Sequence, residues 1–474
     1  MIDVILINAP IVLYTDTKDR EENYLEGFGD EFSFYPINLL YLASSLMAKG
    51  RTVKVIDPTA YGLNLVDILC DVIRYKPKLV GITCMTASIQ SAVKIAKALK
   101  KYGCTVVLGG IHVSNDPDII RRFPYFDYGI VGDGEIVINE IFEGKRDPGL
   151  IFAEPIMDLD SLPFPRRDLV DIRKYKRPEQ INGEAFFIDI LTSRGCPYSC
   201  SFCSIYNSGK KVRFRSAKNI VDEMEETYHL CDGNFTINDD CFTLKKAHVL
   251  ALRDEIKRRN LKISFMCSTR ANCIDDEVMY ALKEMGCNNA CIGVETGSER
   301  IRNEIIGKKI TDAQIFNAVR LCRKYKIQSS LFVMVGFPTE TREDLDLTSR
   351  IGPKVRADYI GVHQTTPYPT SRIWKAAIQD GQVPPDLIDK WASGQLGRDF
   401  KKAWVFYVPA GFTQQDMIDY KRKIYLRFYF DPKWMIRKMW GWILHPKKFI
   451  REDLKLFKLL PQVIRFGGTK GQFS

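Results

Sequence analysis

The chain has 474 residues, of which 45% are hydrophobic and 27% are charged, so it is long and apolar enough for two or three globular domains. It contains no stretch of 18 apolar residues, and its start, MIDVILINAP, lacks the basic residues and the longer apolar run of a secretory signal. We therefore expect a cytoplasmic protein that spans no membrane, in which the 13 cysteines are reduced and form no disulfide framework.

The formal net charge of +11 is concentrated near the C-terminus. Between Asp419 and Phe466 there are thirteen Lys and Arg residues against four Asp and Glu, which leaves the first four hundred residues nearly neutral. The main body of the chain therefore gives no indication of nucleic-acid binding.

Short β-branched runs alternate with helical segments over the first 145 residues. These runs are VILI (4–7), TVKVID (52–57), LVGITC (79–84) and TVVLGG (105–110). The alternation predicts a parallel sheet covered by helices on both faces, which is a doubly wound, Rossmann-like α/β domain over residues 1–145. Sheets of this kind bind ligands at the carboxyl ends of their strands.

The loops predicted at those carboxyl ends are small, polar and rich in glycine, so a large flat ligand can approach their backbone. They are NAP (8–10), TCMTAS (83–88), GGIHVS (109–114) and GDGE (132–135). No G-x-G-x-x-G motif follows the first strand, which argues against a dinucleotide and leaves the ligand open.

A second alternating series begins at Ala185, after a linker that prolines and weak periodicity predict over residues 146–184. Its strand-like runs are FFIDILT (186–192), NFTIND (234–239), ISFMCST (263–269), ACIGVET (290–296), SLFVMVGF (330–337) and YIGVHQ (359–364). The helical stretches between them are predicted near residues 217–230, 246–259, 275–286, 312–326 and 342–356. The series predicts a partial (β/α)6 barrel over residues 185–375, with its chemistry at the carboxyl ends of the strands, followed by a mainly helical region over residues 376–474.

Cys196, Cys200 and Cys203 are clustered on the loop that follows the first barrel strand. A structural zinc site needs a fourth Cys or His, and the nearest cysteines, Cys231 and Cys241, lie a strand away. Three thiolates without a fourth ligand suit a [4Fe–4S] cluster that keeps one iron open for a substrate or cofactor. A zinc site and unconnected core cysteines remain the alternatives at this point.

The run CPYSCSFC (196–203) resembles the C-x-x-x-C-x-x-C signature of the radical S-adenosylmethionine (SAM) superfamily. In that family three cysteines hold three irons of a [4Fe–4S] cluster, and SAM chelates the fourth iron. Three later motifs fall in the family's order at strand ends, namely NDDCF (238–242), GVETGSE (293–299) and MVGFPTET (334–341). The SAM-binding residues that the resemblance implies are Phe202, Asp239, Asp240, Glu295 and Gly336.

Each later motif also has a structural interpretation. Asp239 and Asp240 would equally serve as caps of the next helix, and Glu295 would equally serve as one partner of a buried ion pair. The four motifs in register, each at the end of a predicted strand, favour the SAM interpretation over these alternatives.

The N-terminal domain, with GGIH (109–112) and VGDGE (131–135), resembles the cobalamin-binding radical SAM subfamily, which includes bacteriochlorophyll-pathway cyclases and carbon and phosphorus methyltransferases. The implied cobalamin-binding residues are Asn8, Thr83, Thr86, Gly109, Gly110, His112, Gly132, Gly134 and Glu135. The D-x-H-x-x-G signature that supplies a histidine to cobalt is absent. His112 is therefore expected to bond backbone or a corrin amide, and the axial ligand on the lower cobalt face is left open.

The resemblance implies three cofactors, a [4Fe–4S] cluster, SAM and cobalamin, and an electron donor such as flavodoxin or ferredoxin. The implied chemistry is cleavage of SAM to methionine and a 5'-deoxyadenosyl radical, hydrogen abstraction from an unactivated carbon of a small molecule, and methyl transfer from cobalamin. Cyclisation, rearrangement or carbon–carbon coupling uses the same parts and stands as the alternative. A non-catalytic cobalamin or cluster sensor is the alternative of another class, and the full set of SAM motifs argues against it.

The basic C-terminal region interleaves aromatic residues with cations and has two interpretations. In the first, the rings seat at a lipid headgroup boundary and the cations meet anionic phosphates on the inner face of the membrane. The rings and cations concerned are Tyr425, Phe428, Phe430, Trp434, Trp440, Trp442, Lys433, Arg437, Lys438, Lys447 and Lys448. This interpretation predicts an apolar or membrane-derived substrate such as a lipid, isoprenoid or tetrapyrrole. In the second, the same helices pack against the barrel and the cations form a solvated rim.

Overall fold

The computed structural model describes residues 2–23, 35–175, 186–204 and 211–444. None of the thirteen cysteines, all of which lie within these ranges, is in a disulfide. No helix of the described residues is long and apolar enough to cross a membrane.

The first sheet has six strands, all parallel. They are β1 (Val4–Asn8), β2 (Val53–Ile56), β3 (Leu79–Thr83), β4 (Val106–Gly109), β5 (Tyr128–Val131) and β6 (Gly149–Phe152). The helices around them are α1 (Thr17–Asn23), α2 (Ile37–Ala48), α3 (Pro58–Tyr61), α4 (Leu65–Tyr75), α5 (Ile89–Lys100), α6 (Ile111–Asn115), α7 (Ile119–Arg122) and α8 (Gly134–Phe142). The strand order is β2-β1-β3-β4-β5-β6, so the order reverses between β1 and β3. A reversal of this kind opens a ligand crevice at the carboxyl ends of the two strands.

Both faces of this sheet are buried, as a doubly wound domain requires. Ile5 and Ile7 of β1 belong to a core that includes α5, whereas Val4 and Leu6 belong to a separate core with α2 and α8. Successive side chains of a strand point to opposite faces, so the apolar run VILI serves both cores.

Strands β5 and β6 were not among the predicted strands, and β6 lies inside the segment predicted as a linker. The sheet therefore extends to Phe152, beyond the predicted boundary at residue 145. Strand β6 has only four residues and follows the charged stretch EGKRDP (143–148), so its local sequence signal is weak. Its pairing with β5 creates the strand.

The second sheet also consists of parallel strands. These are β7 (Ile188–Ile190), β10 (Asn234–Ile237), β11 (Ser264–Thr269), β12 (Cys287–Glu295), β13 (Gln328–Val335) and β14 (Tyr359–Gln364), while β8 (Ser193–Arg194) and β9 (Arg213–Phe214) form a short antiparallel pair. The helices are α9 (Ala217–Cys231), α10 (Lys246–Arg258), α11 (Asp276–Glu284), α12 (Asp312–Lys324) and α13 (Arg342–Val355). The six long strands follow one another in chain order from β7 to β14, which confirms the partial (β/α)6 barrel.

The C-terminal region is helical and packs on both parts of the molecule. Its helices are α14 (Arg372–Gln379), α15 (Leu387–Ser393), α16 (Phe400–Ala403), α17 (Gln414–Tyr429) and α18 (Pro432–Leu444). Trp391 of α15 is fully buried in the core that contains α5, and its indole donates a hydrogen bond to the Thr86 carbonyl at 3.2 Å. The side chain of Gln90 in α5 in turn donates to the Trp391 carbonyl at 3.0 Å. Helix α15 therefore covers the first domain, and α14 and α16 contribute to the same core. Helix α17 packs on α13 and β14 of the barrel.

Helix α18 packs against the barrel through its aromatic and cationic side. The Trp434 ring is buried, and the Arg437 guanidinium donates hydrogen bonds to the Arg356 and Ala357 carbonyls at the end of α13. The Lys438 ammonium bonds the hydroxyl of a barrel tyrosine at 3.1 Å. A cation at a helix C-terminus satisfies carbonyls that have no partner within the helix.

The packing interpretation is therefore confirmed for Tyr425, Phe428 and Trp434, whose rings lie in the barrel core, and the lipid interpretation does not apply to them. The side chain of Trp440 and the residues Lys447 and Lys448 lie outside what the structure describes, so the predictions for them stay predictions. Phe430 is exposed, and the opposite side of α18 presents an apolar face to solvent. That face consists of Met435 (40% exposed), Ile436 (57%), Met439 (50%) and Ile443 (67%).

Candidate functional site

The crevice of the first sheet is bordered by the ends of β1 and β3. Asn8 and Thr83 are the last residues of these strands and pair in register. The Asn8 amide donates a hydrogen bond to the Asp57 carboxylate at 2.9 Å, which orients the first of the predicted crevice loops. Both residues thus lie where the sequence predicts the ligand of this domain.

Gly109 ends β4 at this crevice, Gly110 follows it, and the two glycines have different surroundings. Gly110 adopts φ +98° and ψ −178°, and a Cβ there would lie 2.6 Å from Thr83 Oγ1 and 2.7 Å from the Cys84 carbonyl oxygen. A Cβ on Gly109 would meet no atom within 4 Å. The backbone of Gly109 is therefore open to a ligand, while Gly110 is required by the conformation of the loop.

His112 is buried in this domain and is not exposed to the crevice. Its Nδ1 lies 3.1 Å from the Thr86 hydroxyl, and its Nε2 makes no hydrogen bond within the described residues. Burial, together with the positive charge of Arg122, lowers the pKa of His112 to about 3, so the imidazole is neutral. Its predicted contact with backbone or a corrin amide stays a prediction, and Nε2 is the buried ring nitrogen that has no hydrogen-bond partner among the described residues.

The GDGE loop (132–135) of the first domain contacts the barrel through ion pairs. The Glu135 carboxylate, predicted for cobalamin, accepts a hydrogen bond from the Arg194 guanidinium at 2.7 Å. Asp133 pairs with Arg194 at 3.3 Å and also with Arg213, so these two carboxylates hold both strands of the β8–β9 pair. Arg194 stands two residues before Cys196, and the ion pairs therefore place the predicted cobalamin loop beside the cysteine loop.

Gly132 and Gly134 flank Asp133 in this loop. Gly132 has φ +94°, and a Cβ on Gly134 would lie 3.1 Å from the Leu42 side chain. The packing of α8 against α2 thus accounts for Gly134, and its predicted role toward cobalamin stays a prediction.

Cys196, Cys200 and Cys203 are partly exposed, in contrast to the eight cysteines of the chain that are buried. The Cys203 amide donates to the Cys200 carbonyl at 3.1 Å and closes a turn in the loop. Among the described residues, no three His, Cys, Asp or Glu side chains are arranged to hold a metal ion, so the convergence of the three sulfurs stays a prediction. Three accessible thiols on one short loop, without a fourth protein ligand, fit the donor set of a cluster with one open iron.

The two predicted acidic ligands of SAM have different environments. Asp239 is buried and accepts hydrogen bonds from the amides and hydroxyls of Thr192 and Ser193. Asp240 is accessible to solvent, and the removal of part of its hydration, together with the Asp239 charge, raises its pKa to about 6. Neither carboxylate caps the next helix. Asp239 therefore fixes the strand that leads to the cysteine loop, and Asp240 is the carboxylate that remains accessible to a cationic ligand.

Glu295 ends β12 in a left-handed conformation, with φ +66°. Its carboxylate forms a buried ion pair with the Lys308 ammonium, and a Cβ on Gly293 would lie 2.5 Å from the Glu295 Oε1 atom. The alternative of a buried ion pair is thus observed. A non-glycine residue held at positive φ is often found at a functional site, and the predicted contact of Glu295 with SAM stays a prediction.

The motif MVGFPTET (334–341) forms a turn around Gly336 at the end of β13. Gly336 has φ +91°, and its amide and that of Phe337 donate to the Glu340 carboxylate at 2.6 and 3.0 Å. The ring of Phe337 lies 6.2 Å from that of Phe202, so this turn meets the cysteine loop. The two predicted SAM contacts, Phe202 and Gly336, are therefore close to each other in space.

Glu340 and Lys308 belong to this site and were missed by the sequence analysis. Glu340 is buried, its Oε1 makes no hydrogen bond within the described chain, and burial raises its pKa to about 8. An acidic residue four positions after the glycine of GFPTE was the available signal for Glu340. No local signal identifies Lys308, which reaches Glu295 only through the fold.

Comparisons with known proteins match both parts of the chain. The model of the radical SAM superfamily matches residues 190–350, and the model of the B12 binding domain matches residues 30–142. An uncharacterized methyltransferase of Pyrococcus horikoshii is 32% identical over 448 residues, which are 89% of this chain and 94% of the relative. An anaerobic magnesium-protoporphyrin IX monomethyl ester cyclase of Rubrivivax gelatinosus is 26% identical over 375 residues, covering 72% of this chain and 66% of that enzyme.

Solved structures share the fold. The radical S-adenosylmethionine methyltransferase TsrM of Kitasatospora setae, solved with tryptophan substrate and a SAM analogue bound, superposes with a TM-score of 0.69 at 20% identity and covers 91% of this chain and 89% of its own. The cobalamin-dependent S-adenosylmethionine radical enzyme OxsB, solved with aqua-cobalamin and SAM, gives a TM-score of 0.60 at 16% identity, over 82% of this chain and 56% of its own.

Proposed function

Because the chain belongs to the cobalamin-binding radical SAM family, we propose that it transfers a methyl group to an unactivated carbon of a small molecule. Membership of the family implies a [4Fe–4S] cluster, SAM, cobalamin and an external reductant. When bound, the cluster and SAM supply one-electron cleavage of SAM, and cobalamin supplies a transferable methyl group.

The observation that carries the proposal is the set of ion pairs that connects the two domains. Methyl transfer requires cobalamin and the cleaved SAM to reach the same substrate carbon. The ion pairs of Arg194 with Asp133 and Glu135 support this arrangement, because they connect a crevice loop of the first sheet to the strand that enters the cysteine loop. We assign the cobalamin domain to residues 1–152 and the SAM domain to the barrel.

The chain's own side chains then have the following roles. Cys196, Cys200 and Cys203 hold the cluster, the accessible carboxylate of Asp240 accepts the ammonium of SAM, and the open backbone at Gly109 lies against the corrin. The remaining SAM contacts are Phe202, Glu295 and Gly336, which lie at or after the carboxyl ends of barrel strands. The contact of the partly buried Phe202 ring with the buried Phe337 ring limits the access of water from this side.

Anaerobic reconstitution tests the cluster. The protein should carry about four irons and four sulfides, and Cys196→Ala, Cys200→Ala or Cys203→Ala should each abolish both iron retention and formation of 5'-deoxyadenosine. Cys70→Ala is the matched control, because Cys70 is an exposed cysteine elsewhere and its variant should keep the iron. Stoichiometric zinc without iron–sulfur absorption would contradict the proposal.

Labelled SAM tests the reaction. With hydroxocobalamin, a reductant, cell extract as the source of substrate and SAM labelled in its methyl group, the protein should form both 5'-deoxyadenosine and S-adenosylhomocysteine and should pass label to a product. Deoxyadenosine without label in any product would move the assignment from methyl transfer to a rearranging reaction.

We further propose that the substrate is apolar or membrane-derived and that the protein contacts anionic lipid peripherally, on the inner face of the membrane. The apolar face of α18 supports this, because Met435, Ile436, Met439 and Ile443 are exposed on one side of a helix in the most basic part of the chain. Each cation near an anionic surface contributes about 1 kcal/mol, so a few of them give measurable binding.

Co-sedimentation tests the lipid contact. The wild-type protein should pellet with anionic vesicles at low salt and should be released at high salt, and Ile436→Glu with Met439→Glu should prevent pelleting. Ile73→Glu, at a comparably exposed apolar residue of the first domain, is the control and should pellet like the wild type. Equal recovery with neutral and anionic vesicles would contradict the proposal.

A further inference from the structure

Arg270 is a buried arginine that faces the cysteine loop. It follows β11 directly and is 6% exposed. Its Nη1 lies 3.6 Å from Cys200 Sγ, its Nη2 donates to the Lys308 carbonyl, and its guanidinium carbon lies 3.5 Å from the centre of the Tyr198 ring. The side chain therefore spans the space between the cysteine loop and the residue that pairs with Glu295.

The charge of Arg270 has no acidic partner among the described residues, which distinguishes it from the other buried arginines of this part of the chain. Arg167 and Arg215 pair with Glu223, Arg213 pairs with Asp133, and Arg302 pairs with Asp312. A buried charge without a counter-charge costs several kcal/mol, so buried arginines are normally paired. The carbonyl, amide and ring contacts of Arg270 satisfy N–H donors but supply no negative charge.

The groups around Arg270 that can become anionic are the thiols of Cys196, Cys200, Cys241 and Cys273 and the phenol of Tyr198. Cys200, one of the three predicted cluster ligands, accepts a hydrogen bond from the Arg270 guanidinium. Three thiolates around an oxidised [4Fe–4S] cluster leave a net negative charge, and the reduced cluster carries one more. A fixed positive charge in a medium of low dielectric constant stabilises the more negative of two states to a greater extent.

We propose that Arg270 is the positive charge that compensates the thiolate-held cluster and favours its one-electron reduction by an external low-potential donor. This inference rests on one part of the proposed function only, the presence of the cluster. Arg270 acts as a positioning residue, because it reaches the iron only through the Cys200 sulfur. Since the cluster must be reduced before SAM is cleaved, Arg270 determines how strong a reductant the protein needs.

A redox titration of the reconstituted holoprotein, followed by electron paramagnetic resonance in the absence of SAM, tests the inference. Arg270→Gln removes the charge and should shift the reduction equilibrium about tenfold toward the oxidised cluster, which for a one-electron couple is about 59 mV. Arg270→Lys retains a charge and should shift the equilibrium less.

Arg372→Gln is the matched control. Arg372 is exposed and donates to the Ser199 carbonyl of the same loop at 2.9 Å, so its removal also takes a cation from the loop, but from a position that water screens. The shift for Arg372→Gln should be several times smaller than that for Arg270→Gln.

Six outcomes are distinguishable. A shift for Arg270→Gln that is larger than those for Arg270→Lys and Arg372→Gln supports the inference, as does loss of the cluster in Arg270→Gln but not in Arg270→Lys. Equal reduction potentials of the wild type and Arg270→Gln overturn the inference. A difference in potential that arises only when SAM is added also overturns it, and would assign Arg270 to the carboxylate of SAM. Loss of the cluster in both Arg270 variants also overturns it, because the charge is then not the deciding property. A wild-type protein that binds no cluster would refute the proposed function itself.

Discussion

Substitution of Gly110 by alanine is expected to destabilise the first domain through two separate effects. The residue lies at φ +98° and ψ −178°, a region that only glycine populates readily, so an alanine held there costs about 1–3 kcal/mol. The new methyl group would also lie 2.6 Å from Thr83 Oγ1 and 2.7 Å from the Cys84 carbonyl oxygen. These atoms belong to β3 and to the backbone that follows it, so relief requires the loop to move, at a cost of about 1–3 kcal/mol.

The expected loss for Gly110→Ala is therefore about 2–6 kcal/mol, a large part of the stability of a typical domain. Gly109→Ala is the matched control at the neighbouring position. A Cβ there meets no atom within 4 Å, so the free energy of unfolding should change by no more than about 0.5 kcal/mol. If the corrin lies against the open backbone of Gly109, the same variant should nevertheless retain less cobalamin than the wild type.

Two measurements separate these effects. Denaturant unfolding of the cobalamin-free protein, followed by circular dichroism, gives the change in stability of each variant. Desalting after incubation with hydroxocobalamin gives the retained corrinoid. A free energy of unfolding of Gly110→Ala within about 0.5 kcal/mol of that of Gly109→Ala would refute the predicted strain and clash at Gly110. Full retention of corrinoid by Gly109→Ala would refute the assignment of the crevice.

Three further variants test the contacts that hold the site together. Burial raises the pKa of Glu340 from its usual 4.5 to about 8. Between these two pH values the folded protein keeps a proton on Glu340 that the unfolded chain releases, so the free energy of unfolding should fall as the pH rises from about 4.5 to about 8. Glu340→Gln should flatten this part of a profile of unfolding midpoint against pH, whereas Glu343→Gln on the surface should not. Trp391→Ala removes a fully buried ring between α15 and the first domain, and it should lower the free energy of unfolding by about 3–5 kcal/mol, measured in denaturant. Asp133→Asn leaves the buried Arg213 without its counter-charge and should cost about 3 kcal/mol in the same assay; an unchanged midpoint would show that the bridge between the domains contributes little.

Most of the fold was predictable from the sequence because its signals are local. The strand-like runs and the helical stretches of the barrel coincide with the observed elements to within a few residues, since each run carries its own period of apolar residues. The cysteine loop was equally predictable, because the spacing of Cys196, Cys200 and Cys203 is a property of the chain alone. Strand β6 was missed because its four residues become a strand only through pairing with β5.

The composition of the site was less predictable than its location. Sequence motifs named Asp239 and Asp240 together, and the structure separates them, since four hydrogen bonds from Thr192 and Ser193 occupy Asp239 while Asp240 stays accessible. These partners are 46 and 47 residues away along the chain. The role of each carboxylate therefore depends on which strand ends meet, and no local pattern carries that information.

The sequence by itself determined the two alternating series, the order of the motifs along them and the three cysteines, because periodicity and spacing are written into consecutive residues. Three features were decided only by the tertiary structure. Trp391 covers the first domain through Thr86, 305 residues away, and α18 turns its aromatic side inward and its apolar face outward. Arg270 contacts Cys200 and has no acidic partner among the described residues. In each case the environment of a side chain is created by segments that are distant in the chain. Burial and compensation of charge are properties of that assembled environment, so they exist only once the chain has folded.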